Sequence, residues 1–208
     1  CTRRAMKQVN LADIRKQYVD SEERLPRHAA AVLVPLVEQD GEVYLLFQVR
    51  AKTLRSQPGE IAFPGGRIDD GELPKAAAIR ETVEELNVKA SEVELIGTLE
   101  PLVTPNRSII YPYLGILHAT DFKPSPAEVD HVFLVSLKEL MTSKPIKGDM
   151  EWRIRPGKEV PTDRMANREA YLDRTYTVTE HFYEHGDYLI WGLTAKILRQ
   201  FLAQLTRD

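Results

Sequence analysis

Four charged side chains fall within the nine residues AIRETVEEL (78–86): Arg80, Glu81, Glu84 and Glu85. On a helix the three glutamates stand at i, i+3 and i+4, which are surface neighbours. At 100° per residue, Ala76, Ile79, Val83 and Leu86 share an arc of roughly 80°, and Arg80 with the glutamates occupies the next roughly 140°. One face should therefore pack while the other presents carboxylates. A solvated charged face is the bland explanation. Against it, each like-charged pair costs a few tenths of a kcal/mol, and the acids lie toward the helix C-terminus, where the macrodipole disfavours negative charge. A hard divalent cation would relieve both problems, since Mg²⁺ prefers oxygen ligands and is shared with substrate phosphates.

The chain ahead of the helix adds two features. FPGGRIDDGELP (63–74) turns through adjacent glycines that let the backbone approach a ligand, and it ends on Pro74, near the first helical position. A carbonyl of Gly65 or Gly66 could join the carboxylates around an ion. Upstream, Arg50, Lys52, Arg55 and Arg67 lie in an 18-residue stretch whose single acid before Arg67 is Glu60. Such a basic patch on a net-acidic chain suits a phosphate-rich small molecule. Loop arginines and lysines also cover surfaces by snorkelling, and that reading is preferred for Lys52. Glu60 is either a neighbour of the ligand or a partner for Arg50.

Gly66, five residues, Glu72, seven residues and then RETVEELNV resembles the Nudix box, G-x5-E-x7-R-E-U-x-E-E-x-G-U with U aliphatic. Seven of its nine defined positions match: Gly66, Glu72, Arg80, Glu81, Glu84, Glu85 and Val88. Thr82 departs at an aliphatic position, and Asn87 replaces the final glycine, for which Asn is the next-best left-handed cap. The resemblance implies a Nudix hydrolase with an α/β/α sandwich built on a mixed sheet. It implies that Glu81, Glu84 and Glu85, with Gly66, hold Mg²⁺ or Mn²⁺, and that Arg80 and Glu72 brace the loop and helix.

The stretch VRAKTLRSQPGEIAFPGG (49–66) resembles the signature of the coenzyme A pyrophosphatase branch. Arg50-Ala51, Arg55, Gly59 and Phe63-Pro64-Gly65-Gly66 match it, while Gln48 stands where that branch has threonine. LIWGLTAKIL (189–198) resembles its closing helix. Arg50, Arg55, Gly59 and Phe63 are thereby implied in substrate binding. The implied reaction is hydrolysis of coenzyme A or its thioesters to 3′,5′-ADP and the 4′-phosphopantetheine part; the motif does not fix which phosphate Arg55 meets, the 3′-phosphate being preferred to the diphosphate. The alternatives are ADP-ribose, NADH or a nucleoside triphosphate as substrate, or a silent nucleotide-sensing domain. The complete glutamate set argues against silence. Glu128, ahead of Asp121 in preference, is expected to add a carboxylate from a downstream loop. The histidines show no metal spacing and are expected to be structural.

These groups must be positioned by the rest of the chain. Residues 11–20 read as a short amphipathic helix within an N-terminal extension (1–25). Two β-branched runs flank a hairpin turn at Gln39-Asp40-Gly41, and residues 50–66 read as loop. Further strands are expected in VELIGTLEPL, IIYPYLGILHA and HVFLVSLKEL, the last running into a helical turn. Residues 144–175 read as an irregular excursion, a candidate for the acyl or pantetheine pocket or for a homodimer contact. A second hairpin turns at Gly186-Asp187, and Leu193, Ile197, Phe201 and Leu205 mark a closing helix. Helices do not alternate strictly with strands, so one α/β domain over 1–208 with a mixed sheet is expected. The 208 residues carry a net charge of −3, with no global pull toward nucleic acid or anionic membranes. No window reaches the ~18 apolar residues of a membrane span. Cys1, the single cysteine, can form no internal disulfide and is given no role; a reducing, cytoplasmic setting is expected.

Overall fold

The sheet begins with a hairpin whose turn chemistry is local. β1 (Ala29–Gln39) and β2 (Glu42–Arg50) pair antiparallel from Gln39↔Glu42 to Leu36↔Leu45. Asp40 and Gly41, both at positive φ (52° and 77°), form the two-residue turn whose twist suits the strands. A computed structural model describes residues 28–104, 107–119, 121–172 and 174–206. The helix expected at 11–20, and the extension containing it, lie outside these residues.

After β2 the segment expected to be all loop contains two short strands, β3 (Ile61–Ala62) on β2 and β4 (Gly65–Arg67) on β1. Helix α1 (Pro74–Leu86) follows, then β5 (Val93–Thr98), β6 (Leu102–Val103) and β7 (Ile109–Leu117). β8 (Val129–Ser136) runs directly into the short helix α2 (Leu137–Thr142). β9 (Ile146–Ile154), β10 (Arg174–His185), β11 (Tyr188–Ile190) and helix α3 (Gly192–Leu205) complete the order. The main sheet runs β3-β2-β1-β7-β5, with β4 also on β1, β6 on β7 and β8 on β2. β1 and β7 are parallel and the other pairs antiparallel, so the sheet is mixed, as expected.

β1 is apolar on both faces because helices cover both. Ala29 and Ala31 pack with Ala77 and Ala78 of α1. Val34, with Leu45 and Phe47 of β2, packs with Ile197, Leu198 and Phe201 of α3.

Two expectations are corrected. Residues 144–175 are not irregular: β9 pairs with β10 over nine positions, from Arg174↔Ile154 to Phe182↔Ile146, and two 3₁₀ turns lie between them. The alternation of Met150, Trp152 and Ile154 with Asp149, Glu151 and Arg153 is a strand pattern, overlooked because Pro145 and Pro156 flank it and the stretch is highly charged. The buried face of α1 is also rotated. Ala76 is exposed and Ile79 and Val83 are half-buried, whereas Ala77, Ala78, Thr82, Glu85 and Leu86 are buried. Paired alanines let the helix lie close to β1 and the glycine backbone of β4, and this carries Glu85 inward. Thr82 fits the buried position by donating its hydroxyl to the Ala78 carbonyl (2.7 Å).

Candidate active site

α1 starts on Pro74, whose missing N–H costs nothing at a first helical position, and ends on Asn87 in the left-handed conformation (φ 53°, ψ 46°). Between these ends Arg80 organises the charges. Its Nε and Nη2 donate to the two oxygens of Glu72 (both 2.9 Å), Nη2 also donates to the Arg67 carbonyl (3.0 Å), and Nη1 donates to Glu81 (2.8 Å). A longer contact of 3.4 Å reaches Glu84. The Arg80 hydrogen bonds hold the Glu72 carboxyl below the usual carboxylate range. Glu72 and Arg80 thus tie the chain ahead of α1 to the helix.

The three metal-candidate glutamates have different surroundings. Glu84 is exposed. Glu81 is half-buried, and burial raises its carboxyl pKa despite Arg80. Glu85 is 3% exposed, which corrects its expected place on a solvent face. Its Oε2 accepts from Gln48 Nε2 (2.9 Å) and from the Gly65 amide (2.8 Å). Burial nevertheless pushes this carboxyl up to about 7, with smaller contributions from the charges of Glu81 and Glu128.

The glycines work by close approach. A Cβ on Gly65 (φ 151°) would collide with the Ala31 carbonyl and Val32, and one on Gly66 would strike the Glu81 carboxylate. Gly66 therefore brings backbone against the acids, where a side chain would hold them off. Among the described residues no three acidic, histidine or cysteine side chains close around one point; Arg80 draws Glu81 and Glu84, while Glu85 turns to Gln48 and Gly65. By chemistry the set still fits a hard divalent ion. All its donors are oxygens, and Gln48 Oε1 is a further buried oxygen with no hydrogen-bond partner among the described residues.

A cavity of about 320 Å³ adjoins Gly65 and Gly66 and is lined also by Arg50, Phe63, Trp191 and Thr194. Among the described residues Arg50 Nε is buried with no hydrogen-bond partner, and its Nη2 donates to the Ser56 carbonyl at 3.5 Å. Phe63 is buried against Phe47 (ring centroids 4.9 Å apart) and forms a wall. Gly59 is exposed; its amide donates to the Arg50 carbonyl (3.0 Å), closing the turn that follows Arg50. Arg55 and Lys52 are exposed on that loop and do not line the cavity. Glu60 lines the same cavity; its side chain accepts from Gln57 Nε2 (2.8 Å) and its carbonyl accepts from the Arg50 amide (2.9 Å).

Glu128 is brought close enough to act on both Glu81 and Glu85, whereas Asp121 pairs with Lys123 (3.1 Å). His118, His131 and His185 sit on Glu94, Asp130 and Glu139, as structural histidines do. Sequence reasoning missed Gln48 as a site residue, although its departure from threonine was a signal. It also missed Trp191 and Thr194, which reach the cavity from the start of α3. Thr194 anchors there by donating to the Ile61 carbonyl (3.0 Å).

The family model described as NUDIX domain matches residues 26–155. The chain belongs to the Nudix hydrolase family. This Nudix hydrolase is 37% identical over 180 residues to the peroxisomal coenzyme A diphosphatase NUDT7 of Mus musculus, covering 80% of the chain and 66% of that protein. It is 33% identical over 184 residues to the Nudix hydrolase NudL of Photorhabdus laumondii, covering 86% and 85%. The fold is similar to a MutT/nudix family protein from Enterococcus faecalis, with a TM-score of 0.51 at 16% identity over 97% of this chain and 71% of that one. Nudix hydrolases generally use divalent metal ions. No helix among the described residues is long and apolar enough to cross a membrane.

Proposed function

We propose that this Nudix hydrolase cleaves the diphosphate of coenzyme A or its thioesters, releasing 3′,5′-ADP and (acyl-)4′-phosphopantetheine. The observation that carries the reading is Arg50, whose buried, unpartnered Nε lines a cavity against the Gly65-Gly66 backbone beside the carboxylate helix. A phosphate oxygen is the acceptor that suits a buried guanidinium, because the charge-assisted bond offsets desolvation on both sides. The similarity to the mouse protein named a coenzyme A diphosphatase supports the same substrate.

In this reading Arg50 binds the diphosphate, and Phe63 and Trp191 supply apolar walls. Glu81, Glu84, Glu85 and the Gly66 backbone are the groups that would hold Mg²⁺ or Mn²⁺, which when bound supplies charge neutralisation and an activated water. Arg80 and Glu72 keep loop and helix in register so that the carboxylates face the diphosphate. Gln48 and the Gly65 amide orient Glu85 through Oε2. Glu128, a carboxylate outside the helix, takes the proton from the attacking water. The 3′-phosphate lies outside the cavity and meets Arg55 on the exposed loop.

A substrate panel with each metal, its products read by mass, tests the reading. Coenzyme A should give 3′,5′-ADP and outpace ADP-ribose and NADH; faster cleavage of either rival overturns the assignment. Arg55→Ala then isolates the 3′-phosphate. A charge-assisted hydrogen bond is worth about 1.5–3 kcal/mol, or roughly 10- to 150-fold. kcat/KM for coenzyme A should fall by about that factor, and that for dephospho-coenzyme A should hardly change. Equal losses would move Arg55 to the diphosphate.

A further inference from the structure

Alternation along β2 sends Phe47 toward α3 and Gln48 toward Glu85 of α1. Arg50, two residues after Gln48, should follow it to the α1 side. It instead lines the cavity together with Trp191 and Thr194. The pairing with β8 accounts for this. Val49 lies opposite His131 but Arg50 lies opposite Val129, so Asp130 is an extra residue in β8. A bulge of this kind bends the strand pair and re-aims the side chain beside it.

The extra residue begins a line of bonded side chains. Asp130 Oδ2 accepts from His131 Nδ1 (2.6 Å), and His131 Nε2 meets the Tyr188 hydroxyl (2.8 Å). An ionised Asp130 only accepts, so Nδ1 carries a proton; in the neutral imidazole Nε2 then accepts from Tyr188. The Tyr188 ring is held separately, stacked on Phe133 with centroids 3.8 Å apart and planes 3° from parallel. Tyr188 belongs to β11, which runs through buried Ile190 into Trp191 of the cavity wall. The Asp130 and His131 side chains are each 43% exposed, so water could serve both and burial does not demand their arrangement. What the bonds accomplish is to join the strand that aims Arg50 to the strand that delivers Trp191. Glu128 has its own anchor: its amide donates to the Ser125 carbonyl (3.0 Å), and the Ser125 amide donates to the Glu85 carbonyl on α1 (2.9 Å).

We propose that His131 and Tyr188 are positioning residues that fix Arg50 and Trp191 relative to one another around the substrate cavity, touching neither the substrate nor the carboxylate helix. Loosening the link then misplaces groups that bind substrate and leaves Glu128 and the α1 carboxylates where they are. The effect belongs in KM rather than kcat. The proposal rests on the coenzyme A reading for its kinetic readout alone.

Tyr188→Phe keeps the ring on Phe133 and removes only the hydroxyl. With Mg²⁺, its KM for coenzyme A should rise roughly two- to tenfold, the range of one lost hydrogen bond, while kcat holds. His131→Asn, whose amide ends at the place of Nδ1, should behave alike. His131→Gln, whose amide reaches the place of Nε2, should restore the wild-type KM. A readout independent of turnover comes from Trp191, the only tryptophan left after Trp152→Phe. In that background Tyr188→Phe and His131→Asn should increase its quenching by acrylamide, and His131→Gln should not; thermal melting confirms that each variant is folded. Loss of kcat at unchanged KM overturns the proposal, as does unchanged Trp191 quenching in Tyr188→Phe or a His131→Gln as impaired as His131→Asn. Trp191 responding as expected in a chain that leaves coenzyme A intact keeps the positioning role and removes the substrate reading.

Discussion

Glu85 is a buried acid held by two donors, and its protonation couples the site to stability. An unfolded glutamate titrates near 4.3, whereas in the fold burial raises Glu85 to about 7. Between those values the folded chain keeps a proton that the unfolded chain has lost. Stability therefore falls as pH rises through this window and is lowest above it. Glu85→Gln retains an acceptor oxygen for Gln48 and Gly65 and removes the charge. In chelator, its melting temperature should exceed the wild type's at pH 8, with the gap closing toward pH 5. Equal gaps at both values would mean that Glu85 is not buried as a titrating acid. An added divalent ion should reverse the order at pH 8, since it stabilises only the chain that still offers the carboxylate.

The loop and α1 act together as one element because glycine permits the approach and Arg80 holds it. Gly66→Ala tests the approach alone. Gly66 does not need the left-handed region, so the backbone tolerates alanine, but the added methyl strikes the Glu81 carboxylate. Glu81 is held by Arg80 rather than swinging freely, so the helix or the loop must shift. A misplacement of about 1 Å at a catalytic centre can cost about 10²-fold. Turnover should fall by that order while far-UV circular dichroism stays unchanged. Wild-type turnover in this variant would separate the glycine from the metal-binding geometry.

Across the molecule, the sheet joins two helices with different duties. α1 carries the acids on one face, and α3 closes the cavity from the other. Phe201 is 2% exposed among Phe47, Val34 and Leu198, and it fixes α3 to the sheet. Phe201→Ala should cost about 3–5 kcal/mol in urea unfolding, the range for a large aromatic removed from a core. KM should change little while the protein remains folded, because Thr194 ties the cavity end of α3 to Ile61 independently. A large KM effect with small destabilisation would reverse that division of labour.

Features that depend on residues a few positions apart were legible in the order of residues alone. The turn at Asp40-Gly41, the Pro74 start and Asn87 end of α1, and the grouping of Arg80 with the glutamates are set by backbone propensity and the helical repeat. So is the Glu72–Arg80 clamp, because only Leu73 and the first turns of α1 separate the two residues. Other features depend on which surfaces meet once the chain is folded. A helical wheel contains no glycine backbone, so it left Glu85 in solvent; the packing of α1 against β4 buried it and supplied Gln48 from a separate strand. The cavity needed Trp191 and Thr194, which lie far along the chain from Arg50, and no local pattern links them. β9 escaped notice for the converse reason. Its alternation is local and real, but a charged edge strand takes its meaning from the neighbour it pairs with.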